Sequence, residues 1–89
     1  MTEEYFFVHG GLVPNVDIEK QDLYSTLMIR DEFIYHPVTI KQKVVFGHTP
    51  FEKPLVQVDK IGIDTGSGKF EKSYITALIC GSEDFVFSM

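Results

Sequence analysis

Tryptophan is absent from this 89-residue sequence, and cysteine occurs only once, at Cys80. A single cysteine cannot form a disulfide bond within the chain, and it excludes a zinc site built from several thiolates. The low number of cysteines favours a reducing, cytosolic setting. No apolar run approaches the roughly 20 residues of a membrane span, and the apolar stretch at residues 5–8 follows Glu3 and Glu4 rather than the basic residues of a signal peptide. We therefore expect a soluble, cytoplasmic protein.

Basic residues are also scarce: the sequence has eight Lys and Arg compared with thirteen Asp and Glu, which gives a net charge of −5. Without a basic run, neither nucleic acid nor an anionic membrane is expected as the main partner. The 44% hydrophobic content is typical of a globular chain. At this length the chain amounts to one domain or less, and its core would be marginal alone because small chains bury a smaller share of their surface.

The order of predicted elements is one strand, one main helix and about five further short strands, which indicates a mixed α/β (α+β) fold. The main helix is expected from about Glu19 to Ile34, with Asp17 as its N-cap and with Pro37 preventing its continuation. The late consecutive strands are expected to be antiparallel. The predicted strands are residues 4–8, 43–46, 55–58, 61–64, 74–79 and 84–87, with a turn at Asp59-Lys60 between the third and fourth.

Two of these strands end in a histidine flanked by glycine. They are the runs Phe-Phe-Val-His-Gly-Gly at residues 6–11, with His9, and Val-Val-Phe-Gly-His-Thr-Pro at residues 44–50, with His48. A strand fixes its last side chain, and glycine permits close approach of backbone or ligand. Two such endings would place two imidazoles on one sheet edge, where they could bind a metal or a phosphate. The structural alternative is a pair of turn histidines bonded to loop carbonyls.

Asp64 is the first residue of the sequence Asp-Thr-Gly-Ser, which follows the apolar residues of a predicted strand. This sequence resembles the active-site turn of aspartic proteases, but only 25 residues follow Asp64, which leaves little room for the rest of that fold. The alternative is an aspartate that caps its own loop through the backbone.

Arg30 presents a planar guanidinium suited to two phosphate oxygens, and it is expected at or beyond the middle of the helix. The alternative is a surface arginine paired with Asp31 or Glu32. His36, which precedes Pro37, shows no partner spacing and is interpreted as a loop residue.

Four segments, in this order, resemble the C-terminal half of the calcineurin-like metallophosphoesterases. The nearest branch is that of the bacterial and phage serine/threonine phosphoprotein phosphatases, together with the related symmetrical bis(5′-nucleosyl)-tetraphosphatases, and the likeness covers essentially the whole chain. The segments are Phe-Val-His-Gly-Gly-Leu at residues 7–12, Ile-Arg-Asp-Glu-Phe at 29–33, Val-Phe-Gly-His-Thr-Pro at 45–50 and Ile-Asp-Thr-Gly at 63–66.

The resemblance implies a role for each matched residue. His9 and His48 match two ligands of the second metal, Arg30 matches an arginine that contacts substrate phosphate, and Asp64 matches a supporting residue outside the ligand set. Met28 stands where the family usually has tryptophan. The implied enzyme hydrolyses phosphate monoesters, with phosphoserine or phosphothreonine as the expected substrates. It uses water activated by two divalent metals, with manganese foremost and iron or zinc as alternatives.

The family's N-terminal motifs Gly-Asp-x-His-Gly, Gly-Asp-x-x-Asp-Arg-Gly and Gly-Asn-His-Glu do not occur in this sequence. They supply the first-metal ligands, the bridging aspartate, the asparagine ligand and the general-acid histidine. Residues 1–89 are therefore expected to be the C-terminal half of such a domain, catalytically inactive alone, with at most a partial second-metal site. The fragment is expected to self-associate or to pair with the missing half. Two alternatives stay open: a tetraphosphatase fragment, and a non-enzymatic binding or complementing module.

Overall fold

The computed structural model describes residues 4–66 and 76–87, which form a mixed α/β fold with two short helices and two sheets. A single 3-10 turn at Ile18–Lys20 precedes the helices. The helices are α1 (Leu23–Met28) and α2 (Asp31–Ile34), and the strands are β1 (Tyr5–Phe7), β2 (Lys43–Phe46), β3 (Leu55–Val56), β4 (Lys60–Gly62), β5 (Thr76–Ile79) and β6 (Asp84–Phe87).

The larger sheet has the strand order β1-β2-β4-β3. The pairs β1–β2 and β2–β4 are parallel, whereas β3 pairs with β4 in the antiparallel sense. β5 and β6 form a separate antiparallel hairpin. The six predicted strands are confirmed, as are the antiparallel late pairs β3–β4 and β5–β6. The bounds of β2 and β6 are as predicted, β1, β3 and β4 are shorter, and residues 74–75 of the fifth predicted strand lie outside the described residues.

The main core lies between the four-stranded sheet and α2. Alternation along the strands points Val44 and Phe46 to this face, where the Phe46 ring meets the Phe33 ring edge-on at a centroid distance of 5.0 Å. Phe51 makes a second edge-on contact with Phe46. Because α2 contributes Phe33 and Ile34 to this cluster, it is anchored by side chains despite its single turn.

The hairpin is attached to the opposite face of the sheet at both of its ends. At one end the Thr65 and Thr76 hydroxyl groups lie 2.8 Å apart, and both residues are buried. At the other end the Glu83 carboxylate accepts hydrogen bonds from Tyr5 Oη and Lys43 Nζ, each at 2.9 Å. The sheet therefore carries helices on one face and a hairpin on the other, so the two short helices need to cover only one face.

The single main helix predicted from Glu19 to Ile34 is wrong. The backbone is extended at Gln21, whose side chain instead bonds the backbone of Val13 and Val16 and so fixes the preceding loop. It is extended again at Asp22 and at Ile29, which bound α1. Within residues 4–66 and 76–87, no helix is long and apolar enough to cross a membrane.

The N-cap prediction is also wrong, because Asp17 precedes only the 3-10 turn and makes no side-chain cap hydrogen bond. The N-cap of α1 is Asp22, whose carboxylate accepts hydrogen bonds from the Ser25 hydroxyl at 2.8 Å and from the Ser25 N–H at 3.0 Å. The hydrogen bond from the Ser25 hydroxyl lowers the pKa of Asp22 most, and the bond from the Ser25 N–H lowers it further.

Lys60 was predicted to lie in a polar turn, but it is the first residue of β4 and is only 1% exposed. Its ammonium donates to the carbonyl oxygens of Ile34 at 3.1 Å and of His36 at 2.6 Å, and it lies 5.0 Å from the centroid of the Phe33 ring. The ammonium also lies 3.6 Å from the Asp59 carboxylate. Burial of the charge is compensated by this ion pair and by hydrogen bonds to carbonyls at the end of α2 that have no partner within the helix.

Candidate functional site

Three chemically active side chains follow the three parallel strands at equivalent positions. His9 is two residues beyond the end of β1, His48 two residues beyond β2, and Asp64 two residues beyond β4. Because these strands are neighbours and parallel, all three residues lie at the same edge of the sheet. The carboxyl ends of parallel strands are where open α/β sheets bind their ligands.

The structure brings the two predicted histidines together at this edge. Their ring centroids are 5.1 Å apart and the ring planes are tilted by 49°. Two imidazoles on one tetrahedral zinc ion place their centroids about 5 Å apart, because the Zn–N bond is ~2.0–2.1 Å and the ligand–metal–ligand angle is near tetrahedral. His9 is exposed and His48 is partly buried, so the pair is open to solvent. The separation fits two ligands of one metal ion.

The backbone around the pair is tightly bonded. The Gly47 N–H donates to the His9 carbonyl at 2.6 Å, which ties the two strand ends directly to each other. The Thr49 N–H donates to the Gly47 carbonyl at 2.7 Å, and His48 between them has a φ of 66°. A three-residue turn with positive φ at its centre is uncommon and strained for a residue with a side chain. Such strain is often found at functional sites, where surrounding contacts hold it in place.

The Thr49 hydroxyl is a buried polar atom without a hydrogen-bond partner among the described residues. Thr49 directly follows His48 in the sequence. Buried hydroxyl groups are normally bonded, and an exception calls for a ligand, an ion or water. Sequence reasoning did not single out Thr49, although its place directly after Gly47-His48 was the available signal.

Gly10 joins the site to α1 by a very close backbone contact. A Cβ atom at Gly10 would lie 2.8 Å from the Leu27 carbonyl oxygen, 2.9 Å from that of Thr26 and 3.0 Å from that of Ile29. Its N–H also donates to the Thr26 carbonyl at 2.9 Å. A side chain at Gly10 would therefore clash with the end of α1. The glycine allows the end of α1 to lie against the backbone next to His9.

Arg30 directly follows Ile29, whose carbonyl oxygen lies against Gly10. The prediction that it lies within a helix is wrong, because it occupies the break between α1 and α2 with φ −132° and ψ −102°. Its side chain is exposed and forms no ion pair with Asp31, Glu32 or any other described residue. The guanidinium is thus available to an anion.

Asp64 is bonded within its own loop. Its Oδ1 accepts a hydrogen bond from the Gly66 N–H at 2.9 Å, and its carbonyl accepts one from the Phe51 N–H at 2.8 Å. This is the loop-capping arrangement that was the structural alternative for this residue. Its Cβ atom would lie 4.0 Å from a Cβ at Gly47, so the capped loop packs against the turn that carries His48. Asp64 is therefore placed to support that turn.

Within the part of the chain that the structure describes, neither Asp64 nor another residue completes a metal-binding group with the two histidines. Among residues 4–66 and 76–87, no cluster of three or more His, Cys, Asp or Glu side chains is arranged to hold a metal ion. His36, the third histidine, is exposed and pairs through Nδ1 with the Glu32 carbonyl at 2.6 Å, which agrees with its interpretation as a loop residue.

Comparison of the chain with protein-family models, with curated proteins and with solved structures returns no match.

Proposed function

We propose that this chain carries part of a two-metal phosphoesterase centre, in which His9 and His48 are two ligands of one divalent metal ion. The observation that carries the proposal is the pair of imidazoles, 5.1 Å apart, at the ends of adjacent parallel strands. The order of the four motifs supports assignment to the C-terminal half of a calcineurin-like serine/threonine phosphoprotein phosphatase. Manganese is the proposed native metal, with iron and zinc as alternatives.

Each residue of the site has a defined task in this proposal. His9 and His48 hold the metal through neutral imidazole nitrogens, which suit borderline divalent ions. Arg30 binds phosphate oxygens through its guanidinium, and Asp64 stabilises the loop packed against Gly47. When bound, the metals of such a centre polarise the phosphoryl group and activate water.

Two imidazoles and an arginine do not complete this chemistry. The described residues group no further metal ligand with the two histidines. We therefore propose that residues 1–89 bind a metal weakly and do not hydrolyse phosphate esters alone. The missing ligands are proposed to come from another part of the parent protein.

Metal binding is tested by NMR of the histidine rings during titration with Mn²⁺, because a bound paramagnetic ion broadens nearby resonances strongly. Broadening of His9 and His48 before His36 is expected. His36→Ala should leave the broadening unchanged, whereas His9→Ala or His48→Ala should abolish it at the remaining site histidine. Equal broadening of all three rings would contradict the proposal.

Inactivity is tested with p-nitrophenyl phosphate and manganese. We expect no steady hydrolysis above the manganese blank. Turnover that is abolished by His48→Ala and kept by His36→Ala would show that the chain holds a complete catalytic centre, which would overturn this part of the proposal.

A further inference from the structure

Helix α1 has its polar and apolar sides reversed relative to an ordinary surface helix. Its large hydrophobic residues are between 41% and 75% exposed, and they are Leu23, Tyr24, Leu27 and Met28. At about 100° of rotation per residue, these four side chains share one side of the helix, which we call the apolar face of α1. The polar residues Ser25 and Thr26 lie on the other side and are the only two that are partly covered.

Hydrogen bonds to the backbone, and not the apolar side chains, hold α1 in place. The Thr26 carbonyl accepts hydrogen bonds from the N–H groups of Gly10 at 2.9 Å and Gly11 at 3.2 Å, and the Asp22 carboxylate caps the first turn. A helix of six residues is not stable in water through its own hydrogen bonds, and none of the six is buried. An exposed apolar patch rimmed by polar residues marks an interaction surface.

Acidic side chains precede and follow α1 in the chain. Residues 17–32 carry five exposed carboxylates but only two basic side chains, Lys20 and Arg30. None of the five forms an ion pair with a described residue. The five are Asp17, Glu19 and Asp22 before the helix, and Asp31 and Glu32 after it. A ligand that covers the apolar face therefore needs positive charges beside its own apolar side chains, because like charges across a contact repel.

We propose that the apolar face of α1 binds a basic amphipathic helix of a partner protein, in which Lys and Arg flank an apolar stripe. Two helices bury apolar side chains well when those of each recur at three- and four-residue spacing, as Leu23 and Leu27 do. The carboxylates before and after α1 complement the partner's positive charges, and they disfavour acidic proteins and anionic membranes. This proposal does not depend on the metal-binding role of His9 and His48.

Fluorescence anisotropy of a labelled synthetic peptide tests the proposal. The probe is a helix of about 18 residues made of leucine and lysine, with the leucines along one side. The matched probe has glutamate in place of every lysine. We expect the lysine peptide to bind with an affinity that falls as salt screens the charges, and the glutamate peptide to bind at least about tenfold more weakly.

The apolar contribution is tested by the double variant Leu23→Ser, Leu27→Ser. It should weaken binding of the lysine peptide by at least about tenfold, because two leucines no longer bury apolar area against the peptide. Val58→Ser, at a side chain that is 93% exposed between β3 and β4, is the matched control and should leave the affinity unchanged.

The charge contribution is tested by the double variant Glu19→Gln, Glu32→Gln, which removes one carboxylate on each side of α1. It should weaken binding of the lysine peptide and reduce the dependence on salt. Asp84→Asn, at an exposed carboxyl of the hairpin, is the matched control and should do neither. Circular dichroism checks that each variant is folded.

Equal binding of the two peptides would overturn the proposal, as would full affinity for the lysine peptide in either double variant. Two other results would also overturn it by assigning the apolar face to a different occupant. Self-association of the chain that is abolished by Leu23→Ser, Leu27→Ser would assign the face to a second copy. Binding to phosphatidylcholine vesicles that is lost in the same variant would assign it to a membrane. The manganese titration of His9 and His48 is a separate measurement, so either proposal can fail without the other.

Discussion

The two ends of the parallel strands β1, β2 and β4 differ in what their polar side chains do. At the amino ends, the first residue of each strand has its polar group bonded to another element of the fold. Tyr5 and Lys43 both bond Glu83 of the hairpin turn, and Lys60 bonds two carbonyls at the end of α2. These groups attach the hairpin to one face of the sheet and α2 to the other.

At the carboxyl ends, the corresponding contacts stay within and between the loops that follow the strands. The Gly47 N–H bonds the His9 carbonyl, and the Asp64 carboxylate caps its own loop, while the centroids of the two imidazole rings lie 5.1 Å apart. His48 is held at positive φ. The amino ends serve to attach neighbouring elements to the sheet, and we propose that the carboxyl ends present side chains for binding, as in other open parallel sheets.

The largest expected effect comes from removing the buried charge at the amino end. Lys60→Met leaves the Ile34 and His36 carbonyls without their donor and the Asp59 carboxylate without its ion-pair partner. This should lower the free energy of unfolding by about 3 kcal/mol. Urea denaturation measures this loss. Lys41→Met, at an exposed lysine, is the matched control and should change stability by less than about 0.5 kcal/mol.

Unchanged or increased stability of Lys60→Met would show that the desolvation cost of this ammonium exceeds its hydrogen bonding, as happens at some buried charges. The comparison between the two strand ends would then lose its main support.

The second prediction compares the two glycines that flank the histidines. Gly10→Ala places a Cβ within 2.8 to 3.0 Å of three backbone carbonyl oxygens, which cannot yield as a side chain would, and should cost about 2 kcal/mol. At Gly47 the nearest atom to an added Cβ is the His9 carbonyl oxygen at an ordinary 3.6 Å, so Gly47→Ala should cost less than about 0.5 kcal/mol. Thermal unfolding of both variants checks this. Similar losses at the two positions would refute the steric explanation.

The placement of the histidines could be predicted because it depends on strand ends. Apolar runs of Phe and Val that stop just before or one residue before His9 and His48 are local signals, and parallel pairing of β1 with β2 brings those signals to one edge. The same reasoning allowed two functions for Asp64, since the Asp-Thr-Gly sequence does not say whether the carboxylate faces a ligand or its own loop. Only the hydrogen bond to the Gly66 N–H decides that it caps the loop.

The helix could not be predicted in the same way, because tertiary contacts divide it. Leu23 and Leu27 have helical spacing, but the Gln21 side chain bonds a loop that lies five to eight residues earlier, and this holds its own backbone extended. The cap at Asp22 had a local signal in Ser25, three residues later. Lys60 had none: it is buried by carbonyls that are 24 and 26 residues away in the sequence.

The third prediction concerns pH. Two hydrogen bonds hold the pKa of Glu83 below its ordinary value of 4.5. The bond from the Lys43 ammonium has the larger effect, and the bond from the Tyr5 hydroxyl has the smaller. A carboxyl whose pKa is lower in the folded state stabilises the fold above its unfolded pKa, and this contribution is lost as the pH falls through the folded pKa. Glu83→Gln should therefore lower the melting temperature at pH 7, with the difference from the parent chain shrinking as the solution is acidified below about pH 4.

Melting curves of the two chains across this pH range measure the effect. Asp84→Asn, at the exposed neighbouring carboxyl, is the matched control and should show no such convergence. A constant difference between Glu83→Gln and the parent at every pH would show that Glu83 acts through packing and not through its charge.

The smallest expected effect lies at the other end of the strands, at the strained turn. Glycine accepts a φ of 66° without the steric cost that a side chain has there, roughly 1–2 kcal/mol, but it adds about 0.5–1 kcal/mol of entropy to the unfolded chain. His48→Gly should therefore raise the free energy of unfolding in EDTA by roughly 0.5 kcal/mol, although it removes a side chain of the candidate site. A loss of more than about 1 kcal/mol in urea denaturation would instead place His48 among the residues that stabilise the fold. A gain, together with loss of metal binding, would show that this histidine is kept in an unfavourable backbone conformation for what it binds.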